Sequence, residues 1–505
     1  MESGSKLLVI LIGLTCVVQS SAQICPYIAE GCYCVGAIVQ CLYLEALPQL
    51  QTGPNVTRVD TVYFNNGNIT SLPKNSLPPG LVTISIKRLP LTDISNDVFD
   101  ESANSLNYIE LIGTKLTTLP SALLKLTNLT TLYIADTPIK TWNDSVLQHI
   151  GNHITELDLK NVGITGEPGW ISNFHALEVL YLSQNNLKTI SASFFNSFKG
   201  TLTDLTLKAA GLSEVPAGLS SLKNLAILDF SENNLNESEI NKLLAIPALS
   251  NLSSLSLKSV GVINNLNFSG LENLTTIYLD GNNISDATVV SLPPSVTDLR
   301  LSRNNLSSVP TLVSVLTKLV SLDLSNNHIT NITDTTFANL TLLDSLYLQD
   351  NPISTISPTA FASLKSLQTL YIQNTNLSEI PTALSDLSPV RRIYMDGIPS
   401  LTCPCNTSLV LHTWFMKKHG DLFLWGKCST GQDVSDYLLN GCDSGEPTTT
   451  LPTPTTTTGP SPSSTTTGPP PSTTPKGHAP ALELSLVCRY GFLLVFLSLL
   501  CRCVY

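Results

Sequence analysis

Residues 177–187 read LEVLYLSQNNL and residues 319–329 read LVSLDLSNNHI. Apolar side chains hold the first, fourth, sixth and eleventh places of each, with asparagine at the ninth. The fourth and sixth places are two apart, so on an extended chain Leu180 and Leu182 share one face. Outward from these two stretches, L-x-x-L-x-L-x-x-N-x-L returns every 22 to 27 residues, giving fifteen units. They start at Val59, Leu81, Leu106, Leu129, Ile154, Leu177, Leu202, Leu225, Leu252, Leu274, Val296, Leu319, Leu343, Leu367 and Val390. One unit cannot bury its inward face alone. Neighbours must therefore stack, their short strands must form a parallel sheet, and the remaining apolar residues must pack beneath it.

A period of this size with this pattern is the signature of leucine-rich repeats. The expected fold is an α/β solenoid: a curved leucine-rich-repeat horseshoe with a parallel β-sheet on its concave face and disulfide caps. At the ninth place asparagine can satisfy backbone groups of the turn and run as a ladder through the stack. Only Asn185, Asn233, Asn282, Asn304, Asn327 and Asn351 hold it; Gly67, Leu89, Thr114, Thr137, Val162, Ala210, Val260, Thr375 and Ile398 do not. The ladder is thus expected to be interrupted, with most irregularity before Ile154. A second period, LKNVGI from Leu159, LKAAGL from Leu207 and LKSVGV from Leu257, puts Lys160, Lys208 and Lys258 in a row on every second strand.

Cysteine usage divides the chain. Cys25, Cys32, Cys34 and Cys41 precede the repeats and Cys403, Cys405, Cys428 and Cys442 follow them. Two sets of four at the ends of a cysteine-free body read as disulfides made in an oxidising compartment. Zinc is the rival reading, because His412 and His419 lie near Cys403 and Cys405. The stretch CPYIAEGCYC with Cys41 resembles the amino-terminal cap of extracellular leucine-rich-repeat proteins, and CPCNTSLVLHTWF with Cys428 and Cys442 resembles their carboxy-terminal cap, Trp414 included. That resemblance implies the pairs Cys403 with Cys428 and Cys405 with Cys442. Both caps are also similar to those of the non-catalytic subunit of decapod secreted luciferase.

The expected organisation is a signal peptide at 1–22, an amino-terminal cysteine cap at 23–58, repeats at 59–400 and a carboxy-terminal cap at 401–443. A Thr/Pro/Ser-rich stalk follows at 444–479, then an anchor signal at 480–505. Lys6, the apolar run Leu7–Val18 and the small residues up to Ala22 fit secretion. Small residues from Gly477, a spacer and a short apolar end fit a GPI signal, with a membrane-spanning helix as the alternative. Capped repeats, stalk and anchor in that order resemble the variable lymphocyte receptors of jawless fishes and GPI-anchored adhesion proteins. The localisation expected is extracellular and membrane-anchored at the cell surface.

Function is expected on the strands. The second, third, fifth, seventh and eighth places point to the concave side. The fifth place collects Tyr63, Tyr133, Tyr181, Tyr278, Tyr347, Tyr371 and Tyr394, half of the 14 tyrosines. Consecutive strands lie about 4.8 Å apart, so Tyr347, Tyr371 and Tyr394 should form one surface beside Arg391 and Arg392, with Arg300 and Asp323 ahead in the same row. Fourteen Asn-x-Ser/Thr sequons mark candidate glycans: Asn55, Asn68, Asn128, Asn143, Asn236, Asn251, Asn267, Asn273, Asn283, Asn305, Asn331, Asn339, Asn376 and Asn406. None falls on a concave column.

A formal charge of -11 without any basic cluster argues against nucleic acid. No G-x-S-x-G, H-E-x-x-H or P-loop occurs, so no enzyme, cofactor or metal is expected. The expectation is a cell-surface protein that binds a protein ligand, with a homodimer as one arrangement; the alternatives are a subunit stabilising a secreted enzyme and a structural coat protein.

Overall fold

A computed structural model describes residues 24–261, 266–285, 289–404, 408–418 and 420–441. Eighteen strands form one sheet. It begins with an antiparallel pair, Cys32–Val35 with Ile38–Leu44, and every later pairing is parallel. Each of the fifteen units supplies one strand. The fifth-place residues pair in unbroken register: Tyr63, Ser85, Glu110, Tyr133, Asp158, Tyr181, Thr206, Asp229, Ser256, Tyr278, Arg300, Asp323, Tyr347, Tyr371 and Tyr394.

The outer side is assembled from short 3-10 turns and two helices, Asp144–Ile150 and Glu237–Leu244. Proline immediately precedes five of the turns, at Pro120, Pro168, Pro216, Pro310 and Pro381, where its fixed φ suits an extended residue leading into a turn. Between sheet and turns runs a continuous apolar core. The fourth- and sixth-place leucines fill it together with Phe195, Phe230, Phe268, Phe337 and Phe361, all fully buried. Strands pack more closely than helical turns, so stacking such units curves the solenoid with the sheet inside.

The asparagines do more than their number suggests. Asn304 Nδ2 donates to the carbonyls of Leu279 and Leu301, and its Oδ1 accepts from the backbone N–H of Asn282 and Ile284. Each asparagine therefore serves its own unit and the one before it. At Val162, Ala210 and Val260 the side-chain ladder is interrupted as expected, but the turn's own N–H is still satisfied. Their N–H groups donate to Asn185, Asn233 and Asn282 of the following unit at 3.3, 3.0 and 2.8 Å. A valine or alanine unit followed by an asparagine unit is complete, which accounts for the two-unit period.

Before Ile154 a different solution applies. Thr114 and Thr137 bond to each other through their hydroxyls at 3.1 Å, and the Thr114 N–H donates to Thr137 Oγ1. Strands there are longer, five to seven residues from Thr61–Gly67 to Thr131–Ala135 against three residues from Glu156–Asp158 onward. The expected irregularity takes the form of extended pairing.

Every eighth-place residue, from Asn66 to Gly397, is left-handed, with φ between 50° and 72°. This turn lets the chain leave the strand in each unit. Left-handed backbone costs a side-chain-bearing residue about 1–2 kcal/mol, less the chain entropy glycine gives up. Ala209→Gly (Ala209 φ 51°) is therefore expected to stabilise the fold by about 0.5–1 kcal/mol in urea unfolding. Ala210→Gly, in the buried ninth place, should destabilise it.

Disulfides close both ends. Cys25 pairs with Cys34, Cys32 with Cys41, and Cys403 with Cys428. In front, Tyr27 is 1% exposed, packs on Phe64 and donates to the Ser76 carbonyl at 2.6 Å. At the rear, Trp414 is buried in the helix Leu409–Lys418 and its indole N–H donates to Leu387 O. Cys403 is thus half of a disulfide, which removes one of the four groups on which the zinc reading rested, and His412 Nδ1 lies 2.8 Å from Leu438 O. Cys405, Cys442, His419, Asn406, Gly477, the signal peptide, the stalk and the anchor segment lie outside the described residues. Among the described residues no helix is long and apolar enough to cross a membrane.

Candidate binding face

The tyrosines of the fifth row do not share one environment. In the front half their polar ends are engaged within the sheet. Tyr133 donates to Glu156 Oε2 at 2.9 Å and Tyr181 to Asp204 Oδ2 at 3.2 Å, each on the next strand. In the middle, Tyr278 lies between two cations, Lys258 Nζ at 4.6 Å and the Arg300 guanidinium at 4.5 Å from its ring centroid. Those cations are paired in turn, Lys258 with Asp280 and Arg300 with Asp298. These tyrosines hold neighbouring strands together.

The rear of the row is built otherwise. Tyr347 and Tyr371 stack with centroids 4.7 Å apart and an interplanar angle of 8°; Tyr371 and Tyr394 stack at 4.6 Å and 1°. The surface expected beside Arg391 and Arg392 is present, and it continues past the last repeat. The cap strand Phe423–Trp425 pairs with Arg392–Tyr394 and places Trp425 on Tyr394 at 4.8 Å and 1°. Phe423 packs beside Trp425 at 5.5 Å. Trp425 is 42% exposed and Phe423 58%, while the tyrosines are half-buried. Large aromatics left open to solvent in a packed row are what a contact centre presents.

Phe423 and Trp425 are absent from the sequence-based expectation. The cap strand lacks the L-x-L-x-x-N frame, so only the alternation in LFLW could have signalled it. Arg391 and Arg392 are exposed at the start of the adjacent strand, whereas Arg300 and Asp323 lie half-buried ahead of Tyr347 in the same row. Asp323 accepts from the N–H and hydroxyl of Ser325 at 2.9 and 2.7 Å.

The row also carries perturbed carboxyls. Burial pushes Asp158 up to about 6, against the Lys160 N–H and charge that favour its ionised form. Burial likewise raises Asp298, Asp323 and the Tyr347 and Tyr371 phenols. An acid whose folded pKa is raised binds protons in the native state before it does in the unfolded chain. Stability should therefore rise as pH falls from about 6 toward the ordinary value of 3.8. Asp158→Asn is expected to flatten that part of the profile, measured as the urea midpoint against pH. An unchanged slope would assign the pH dependence to other groups.

Thirteen of the sequons are described, and twelve of these asparagines are exposed. Asn143 is half-buried because its side chain caps the helix Asp144–Ile150, accepting from Val146 N while donating to Ser121 Oγ. All thirteen lie off the concave columns, before the strands, after them or on the outer side.

The leucine rich repeat family pattern matches residues 294–353 and 342–397, and its single-repeat form matches 176–198. No curated protein matches the chain by sequence. A leucine-rich-repeat protein of Leptospira interrogans superposes with a TM-score of 0.55 at 21% identity, over 72% of this chain and 89% of that one. Drosophila Toll, in its complex with Spatzle, gives 0.56 at 19% identity, over 77% of this chain and 54% of Toll. TLR13, in its complex with ssRNA13, gives 0.51 at 23% identity, over 74% and 55%. The chain spans about half the length of the latter two, and the likeness is one of fold.

Proposed function

We propose that this chain, a leucine-rich-repeat protein, works by binding another protein through the concave row of its sheet, with the rear aromatic ladder as the contact centre. The observation that carries the reading is the ladder of half-buried Tyr347, Tyr371 and Tyr394 ending on exposed Trp425, flanked by Phe423 and two arginines. Tyrosine, tryptophan and arginine are the residues that most often dominate protein interfaces. The two complexes of the same fold divide between a protein and an RNA ligand. Two features favour protein for this chain. Its charge of -11 offers little to a phosphate backbone, and the inner ring faces are taken by one another, so no base can stack on Tyr371 or Tyr394. Disulfides at both ends support an extracellular site of action. The reading includes no catalysis. Attachment at the cell surface through the stalk and the Gly477 region completes it.

The test displays the full chain on cells and probes it with an array of secreted and cell-surface proteins, beside a Tyr347→Ala, Tyr371→Ala, Tyr394→Ala variant of matched surface level. The expected outcome is a protein retained by the first and lost by the second. Equal retention by both would reduce the ladder to a packing device and refute its role.

A further inference from the structure

We propose that the rear ladder selects acidic segments of its partner. This rests on the protein-binding reading above and adds the chemistry of what is bound. An aromatic ring is negative on its faces and positive at its edge. In a face-to-face ladder the inner faces of Tyr347, Tyr371, Tyr394 and Trp425 are covered, at centroid spacings of 4.6 to 4.8 Å. What remains open to a partner is a strip of ring edges and phenol hydroxyls. The Tyr347 and Tyr371 phenols are neutral hydrogen-bond donors at physiological pH, and burial raises them further. Such a strip repels a cation and suits carboxylates and carbonyl oxygens.

The charges agree. Lys87, Lys208, Lys258 and Arg300, elsewhere on the concave side, each pair with a carboxylate of this chain. Arg391 and Arg392 are exposed, and among the described residues neither makes an ion pair. They are the cations beside the ladder that a partner can neutralise; exposed Arg88 and Arg303, at eighth places on strands farther forward, are likewise outside the ion pairs of the described residues. Residues 388–441 hold five Lys and Arg against four Asp and Glu, whereas the whole chain carries a charge of -11. The rear of the face is thus less acidic than the middle strands, which are lined with Asp158, Asp229, Asp298 and Asp323.

The experiment pans random peptides on phage against cells displaying the full chain, beside cells displaying an Arg391→Gln, Arg392→Gln variant and cells displaying Trp425→Ala. Both arginines are exposed, so their replacement leaves folding intact, which an unchanged melting temperature verifies. Peptides enriched on the wild type should be rich in Asp and Glu. They should lose affinity by about tenfold or more on the arginine variant, the weight of one lost charge-assisted contact, and lose enrichment on Trp425→Ala. Enriched peptides that depend on Trp425 but show no acidic bias would overturn this inference and leave the protein-binding reading standing. Peptides indifferent to all three substitutions, or no enrichment at all, would overturn both.

Discussion

Asn304→Leu is expected to cost about 4 kcal/mol of folding free energy, because the asparagine satisfies four buried backbone groups in two successive units and leucine satisfies none. A stranded backbone group in a core costs about 1–3 kcal/mol, and the four are coupled, so the loss falls below their sum. Leucine has nearly the same volume, which isolates the hydrogen bonds from any cavity. Solenoid stability is set between neighbours. The defect should therefore appear as faster amide exchange across residues 274–330, with the front units unaffected. Thr375→Val removes a single side-chain bond, Thr375 Oγ1 to Ile372 O, and is expected to cost about 1 kcal/mol. Urea unfolding compares the two; equal costs would show that the asparagine network adds nothing beyond one bond.

The second large effect concerns binding. Tyr371 stacks on Tyr347 and on Tyr394, so Tyr371→Ala breaks the ladder in two places. Partner affinity is expected to fall about a hundredfold, the range of a central interface anchor. Tyr371→Phe keeps both stacks and loses only the hydroxyl; a drop of about tenfold is expected. Tyr133→Ala and Tyr181→Ala serve as the contrast. Their hydroxyls are engaged by Glu156 and Asp204, so these changes should lower stability and leave affinity within about threefold. Titration of the partner against each displayed variant decides. A loss on Tyr133→Ala equal to that on Tyr371→Ala would spread the site along the whole row and contradict a rear contact centre.

Much of this was legible in the sequence because a solenoid repeats its geometry. Once Leu180 and Leu182 are placed inward, Tyr181 and all its counterparts follow, and the sheet pairs every one of them as the repeat requires. What escaped arises where the repeat is not the governing constraint. Trp425 and Phe423 belong to a cap whose strand is placed by its disulfide and by packing on the last unit. The left-handed eighth place is occupied by Arg88, Ala209 and Glu232, residue types that carry no mark of that conformation. Completion of the Val162, Ala210 and Val260 turns depends on an atom from the next unit, which a pattern read one unit at a time does not reveal. The different duties of Tyr133, Tyr278 and Tyr371 depend on which charges stand beside them across strands. The column alone makes them look alike.

The most direct test of a concave binding face is a single added glycan. Asp323 is followed by Leu324 and Ser325, so Asp323→Asn completes a sequon in the fifth row one strand ahead of Tyr347, where the native chain has none. The asparagine keeps an oxygen for the Ser325 bonds, and a second chain with Asp323→Asn and Ser325→Ala carries the same charge change without the sugar. The measurement is partner binding by the two displayed chains, with occupancy read from the mass of the glycopeptide. The account predicts that the glycosylated chain loses its partner and the sugar-free chain retains it. Binding that survives a fully occupied glycan at residue 323 would place the partner on another surface and contradict the account.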